Sequence, residues 1–160
     1  MSKGPQSTIF GNNAIGGSIS LKTNDPTDST TFSLHNEIGS DRLKSIAITA
    51  NFKIFKQNYL RFNIQKHNQH GFRKNKFLNK NNTNKKDELF LNMKIKLAPI
   101  KSLNINNTFI LSEMKNGYDA WAPDNNKKFH TYTDQPGEDS QKTLALSSRA
   151  EYSNDRWSLL

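Results

Sequence analysis

Apolar residues recur with a period of two over most of the chain. Between Lys44 and Phe55, Ile46, Ile48, Ala50, Phe52 and Ile54 are apolar, while Ser45, Ala47, Thr49, Asn51 and Lys53 are small or polar, a pattern that predicts a one-sided strand. The alternation returns with Leu60, Phe62 and Ile64, and again with Leu89, Leu91, Met93, Ile95 and Leu97. A helix of period 3.6 would scatter these side chains around its circumference. Weaker copies run through Phe32, Leu34 and Ile38, through Leu103, Ile105, Phe109 and Leu111, and through Leu144, Leu146, Ala150 and Tyr152. A last strand is expected from Trp157, with the chain ending inside it at Leu160.

The connections alternate in length. Lys56 to Asn58, Ala98 to Lys101 and Asn154 to Arg156 are short, whereas Asn68 to Lys86 and Asn116 to Gln141 are long, and only Gly39 to Arg42 breaks the alternation. Long loops in compact domains are usually functional. Tight turns at one rim and long loops at the other, joining antiparallel strands of about ten residues, predict an all-β fold: an antiparallel transmembrane β-barrel, here a partial one of about six or seven strands. A soluble sandwich also alternates, but its turn signals come about every 8 to 12 residues. Its solvent face would not need Lys, Asn, Arg and His at mid-strand, which suits a water-filled or plugged lumen.

Composition narrows the classes. Of the 160 residues 33% are apolar, mean hydropathy is −0.82 and net charge is +9, so a conventional globular core is poorly supplied. No run approaches the ~20 apolar residues of a membrane-spanning helix, and no signal-peptide pattern opens the chain. There is no cysteine, hence no thiolate nucleophile or thiolate metal site.

Residues Lys3 to Thr23 have a different character. Gly4 and Pro5 fix one turn, Gly11, Asn12 and Asn13 tolerate a second, and Gly16 and Gly17 a third, before Ile19 and Leu21 alternate with Ser18, Ser20 and Lys22. Pro26 ends that stretch. The run Gly4, Pro5, Gln6, then Phe10 and Gly11, then Asn13, Ala14, Ile15, Gly16 and Gly17 closely resembles the end of the plug domain of TonB-dependent outer-membrane receptors. The family more often has Arg where Lys3 stands, and Gly and Arg at the positions of Ser7 and Asn12. The stretch NGYDAWAPDNN followed by TDQPGEDSQ also resembles some marine bacterial members.

This resemblance implies that residues 1–26 are the C-terminal end of a plug domain and 27–160 the first strands of a truncated barrel, whose complete form has about 22 strands. It implies a location in the outer membrane of a Gram-negative bacterium, with outer-membrane lipid and lipopolysaccharide around the wall. A TonB-type energy-transducing complex would pull on an N-terminal box outside this sequence. The cargo would be a scarce small molecule such as a ferric chelate, a ferric siderophore first, with vitamin B12 or a glycan as alternatives. Met1 is then expected to be an internal methionine. A passive porin-like channel is a second class, disfavoured by the plug segment, and a soluble basic β-protein binding nucleic acid is a third.

Seven basic residues between Lys66 and Lys86, interleaved with Asn, would attract anions by long-range steering. Stacking aromatics such as Phe72 and Phe77 are sparse there, which argues against a nucleic-acid partner. The second long loop holds Tyr118, Trp121, Phe129, His130 and Tyr132 with five carboxylates. Tyr118, Trp121, His130 and Tyr132 are the candidate ligand-binding residues, because aromatic rings give contact area with little rotamer entropy. No EF-hand spacing accompanies the carboxylates, so no metal site is assigned. His67 and His70 fit no metalloprotease helix, and there is no phosphate loop or nucleophile elbow. No catalytic residue and no cofactor is expected, and His35 is expected to face the plug.

Overall fold

The computed structural model describes residues 2–3, 17–124, 128–153 and 158–159, and the following account concerns these. They form eleven strands and no helix: β1 (Ser2–Lys3), β2 (Gly17–Ser18), β3 (Thr31–Gly39), β4 (Leu43–Phe55), β5 (Asn58–Gln69), β6 (Lys74–Asn75), β7 (Lys86–Ile100), β8 (Leu103–Tyr118), β9 (His130–Thr131), β10 (Gly137–Ser153) and β11 (Ser158–Leu159). Seven make one sheet in the order β11-β10-β8-β7-β5-β4-β3, every neighbour antiparallel. The sheet is a plain meander and does not close. Its edges are β3 and β11.

The register gives each face its chemistry. Phe32 lies opposite Ala50, which lies opposite Phe62, opposite Met93, opposite Phe109, opposite Leu146. The next row joins Leu34, Ile48, Ile64, Leu91, Leu111 and Leu144. Directly opposed residues share a face, so the predicted apolar stripe is continuous across six strands. Asn51, Arg61 and Lys94 form one row of the other face, and Thr49, Asn63 and Asn92 the next.

Burial is inverted relative to a water-soluble sheet. Leu146 is 76% exposed and Phe32 68% on the apolar face, whereas Asn51 on the polar face is fully buried and Ser45 and Asn92 nearly so. Among the described residues only Ala50 is buried on the apolar side, because the larger Phe32 and Phe62 flank it. Phe62 also packs on Phe52, with ring centroids 5.9 Å apart.

Two hairpins turn tightly at one end, through Lys56 and Gln57 and through Lys101 and Ser102. Lys56 takes φ 48° there, and the ladder is irregular between Lys53 and Phe55. The connections 70–85 and 119–136 leave from the opposite end, as expected, together with the tight turn at Ser40–Arg42, where Asp41 and Arg42 both have φ 56°. The strands outrun the predicted ones: β8 continues to Tyr118 and β10 starts at Gly137, because pairs such as Lys115 with Ser140 and Asn116 with Asp139 extend the ladder with polar residues.

The chain reaches β3 across the polar face. Thr27 N–H donates to Asn51 Oδ1 at 3.0 Å, and Asn51 Nδ2 donates to Thr27 O, to Thr27 Oγ1 and to Ser29 O. Lys94 Nζ donates to Thr23 O and pairs with Asp25 Oδ1, each at 2.8 Å, and Lys94 is the largest influence holding the Asp25 carboxyl below its ordinary range. The alternation of Ile19 and Leu21 with Ser20 and Lys22 makes no strand. Strand pairing stops at Ser18, which faces Ser2, and Ile19 and Leu21 are exposed, since the following backbone engages the Lys94 side chain instead of a neighbouring strand. Gly17 has φ 139°, a conformation that favours glycine.

Asn51→Ala should free residues 27–29 from the sheet and leave the Thr27 amide without its acceptor, a destabilisation of about 1–3 kcal/mol. Amide hydrogen exchange at Thr27 should accelerate while the β4–β5 ladder stays protected; an unchanged Thr27 rate would show that Asn51 does not anchor this segment.

Candidate functional site

The two long connections are built together. β6 of the first runs parallel to β9 of the second, pairing Lys74 with His130 and Asn75 with Thr131. Lys74 N–H donates to Phe129 O at 3.1 Å and Lys76 N–H to Thr131 O at 2.8 Å. Asn75 and Lys80 exchange backbone hydrogen bonds, closing a small turn in which Asn79 takes φ 51°. Phe72 meets Phe129 edge to face at 5.4 Å, with the Arg73 guanidinium over the Phe72 ring. Gly117 lets the first loop press onto β8: its N–H donates to Lys85 O, and a Cβ there would lie 2.2 Å from Thr83 O.

Between the loops sits a buried polar cluster. Asp119 is 2% exposed, and Asn75 and Thr131 are completely buried. Asn75 Nδ2 donates to Asp119 Oδ2 at 2.8 Å, Thr131 Oγ1 donates to the same oxygen at 2.7 Å, and Thr133 Oγ1 donates to Asp119 Oδ1 at 2.8 Å. Asn75 Nδ2 also reaches Thr133 O and Oγ1, while its Oδ1 accepts from Leu78 N–H. Burial pushes the Asp119 carboxyl pKa up most strongly, but the hydrogen bonds from Asn75, Thr131 and Thr133, with the buried Thr83 hydroxyl nearby, together outweigh it and hold the group below the usual range. A buried charge is tolerated only when hydrogen-bonded in this way.

The structure separates the predicted binding residues. Trp121 and Tyr132 share a cleft of about 460 Å³ with Phe77 of the first loop, Thr133 and Asp134. Tyr132 N–H donates to Trp121 O at 3.3 Å, and the Trp121 and Phe77 rings are exposed. His130 lies in β9, apart from that cleft; partial desolvation, then the charges of Lys76 and Lys128, keep its pKa below the ordinary imidazole value. Tyr118 ends β8 against Gly137 and does not line the cleft. Gly17 is in β2, whereas Gly4, Pro5, Gln6, Gly11, Asn13, Ala14 and Gly16 lie outside the described residues.

Sequence reasoning missed Asn75, Thr83, Thr131 and Thr133, and counted Asp119 only as one of the five carboxylates of the second loop. Spacing held no clue, because Asn75 and Asp119 meet across two strands and a hairpin. Among the described residues no group of three or more His, Asp or Glu is placed to hold a metal ion. On the polar face a cavity of about 350 Å³ lies between Lys22, Thr23 and Asn24 and the sheet residues Arg61, Asn63 and Lys94.

Gly117→Ala forces its new methyl against a backbone carbonyl that cannot swing aside, and should destabilise the docking of 70–85 by about 1–3 kcal/mol. Gly39→Ala, whose Cβ would meet only Leu43 at 3.6 Å, should be tolerated. Limited proteolysis within 70–85 checks the contrast, and equal protection in both variants would refute it. The lowered Asp119 pKa has a defined sign: its contribution is fully present above the unfolded value of about 3.9 and is lost as pH falls through the lower folded value. Loop docking, followed by protease protection, should therefore persist at pH 5 and yield only in stronger acid.

Comparison of the chain with protein-family models, curated proteins and solved structures gave no match.

Proposed function

We propose that the chain is part of the wall, with the plug junction, of a TonB-dependent outer-membrane receptor that takes up a scarce substrate, a ferric siderophore in the first instance. The observation that carries this reading is the inverted sheet, whose apolar face exposes large side chains while Ser45, Asn51 and Asn92 are buried on the polar one. Along β7 the apolar side chains from Leu89 to Leu97 cover about 27 Å of strand. At a tilt near 40° that is about 21 Å of height, close to the ~25 Å apolar band of an outer-membrane barrel. On the same face Lys66, Asp87, Glu113 and Lys142 border the band on the long-loop side, where lipid headgroups and lipopolysaccharide would lie.

Three further observations support a plugged receptor over an open channel. The segment before β3 is fastened to the polar face through Asn51 and Lys94. The long connections share one end of the sheet. Their aromatic cleft would face the outside and meet the ligand. The soluble nucleic-acid-binding alternative fares worse, since it would leave Phe32, Leu34, Leu144 and Leu146 in water.

On intact cells, added protease should cut within 70–85 and 119–136 and spare the turns at Lys56 and Lys101; cleavage at those turns, or recovery of the protein in the soluble fraction, would overturn the wall assignment. Gly17→Val places a β-branched residue at φ 139°, a strain of about 1–3 kcal/mol. In the full-length protein it should impair growth on a ferric siderophore as sole iron source while outer-membrane abundance stays near normal. Normal growth with the valine in place would remove the role given to the plug junction.

A further inference from the structure

We propose that Asp119 is a positioning residue that fastens the two long loops into one body, so that Phe77 from one and Trp121 and Tyr132 from the other present a single, preformed cleft. Its functional part, that this cleft meets the transported ligand, rests on the receptor reading above; the fastening does not.

The argument starts from where the donors come from. Asp119 opens the second loop, and two of its hydrogen-bond donors, Thr131 and Thr133, close the same loop on itself. The third, Asn75, belongs to the first loop and is fully buried. Asn75 also donates to Thr133, so Asn75, Asp119 and Thr133 form a closed ring of hydrogen bonds spanning both loops. A carboxylate is acceptor-only, with room for several donors, and it is the one side chain in the ring that can gather donors from both loops at once. Removing it leaves the buried Thr131 hydroxyl and the half-buried Thr133 hydroxyl without their acceptor and the Asn75 amide with Thr133 alone, which penalises the docked arrangement rather than merely weakening it.

Geometry carries the effect outward. Thr131 lies in β9 beside Asn75 of β6, and Tyr132, next in sequence, holds Trp121 O while its ring lines the cleft. Phe77 is two residues from Asn75. The cleft walls are therefore attached directly to the two sides of the ring. A surface held in its binding geometry avoids the ordering cost that a pair of independent loops would meet when a ligand arrives.

These 160 residues contain no cysteine, so in the full-length protein, with any cysteine elsewhere replaced, spin labels at Asn81→Cys and Gln135→Cys report the loop-to-loop distance in isolated membranes. One narrow distance is expected with Asp119 intact. Asp119→Ala should broaden it and raise protease cleavage in 70–85 and 119–136 together. Asp119→Asn, of the same size, should broaden it partway, because an amide nitrogen replaces one of the two acceptor oxygens and the charge that strengthens these bonds is lost; a purely space-filling role would leave this variant narrow. Thr133→Val, which removes the hydroxyl's bonds to Asp119 and from Asn75 but keeps the Asn75–Asp119 bond, should broaden the distance less, and it serves if the Asp119 variants fail to reach the membrane. Asp139→Ala, an exposed carboxylate of β10 outside the cleft, should change nothing. A narrow distance retained in Asp119→Asn and Thr133→Val, or cleavage that rises in one loop only, would overturn the proposal. A protein found outside the outer membrane would overturn the receptor reading while leaving the distance result standing.

Discussion

An alternating strand can satisfy only one environment on each side, and the uninterrupted antiparallel register turns that local rule into a property of the whole sheet. A slip of one residue between any two strands would send an apolar row to the opposite face. From β3 to β10 no such slip occurs between Phe32 and Leu146. Irregularities are confined to the hairpin ends, at Lys53/Phe55 and Leu97/Ile100, where a local shift cannot propagate. Everything else in the molecule is placed by this division: the polar face receives the incoming chain, and the connections at one end receive the length to fold on their own.

The incoming segment shows why the polar face must be polar. Residues 23–29 form no ladder, so their backbone groups need partners from side chains, and the sheet supplies an amide at Asn51 and an ammonium at Lys94. Asn51 accepts from Thr27 N–H while donating to both Thr27 O and Ser29 O, which neither a hydroxyl with its single hydrogen nor a charge could do. The Lys94–Asp25 pair is more exposed and contributes less to stability than to direction, since such pairs are typically worth under about 1 kcal/mol. Together they fix where the chain crosses before it enters β3.

The strands were legible in the sequence because period two is written in consecutive residues. Their ends were not, since Lys115, Asn116, Asp139 and Ser140 pair without any hydrophobic signature. The same contrast separates the aromatic candidates. Trp121 and Tyr132 are brought together by a backbone bond within one loop, but Phe77 joins them only through the β6–β9 pairing, two residues long and invisible to any pattern. The Asp119 cluster was least legible of all, because nothing in the spacing of one Asn, one Asp and three Thr marks them as neighbours. Ile19 and Leu21 show the converse: alternation alone does not make a strand when the backbone beside it has another partner.

The two edges carry the remaining consequence. β3 pairs only with β4, and Phe32 and Leu34 on it belong to the same apolar stripe as Ile48 and Ala50. In water, an edge of this kind invites pairing with another chain. In hydrocarbon it is worse, because every unpaired N–H and C=O at membrane depth costs several kcal/mol, and nine residues of β3 turn one side outward. Under the proposed function the apolar face and the open edges therefore make opposing demands on the seven-stranded sheet alone: the first would meet lipid and the second could not. Both are met only if further strands pair along β3 and beyond β11 until the wall closes. Under the proposed function, then, this sheet is an arc, and its stability in the membrane is inseparable from that of the strands that complete it.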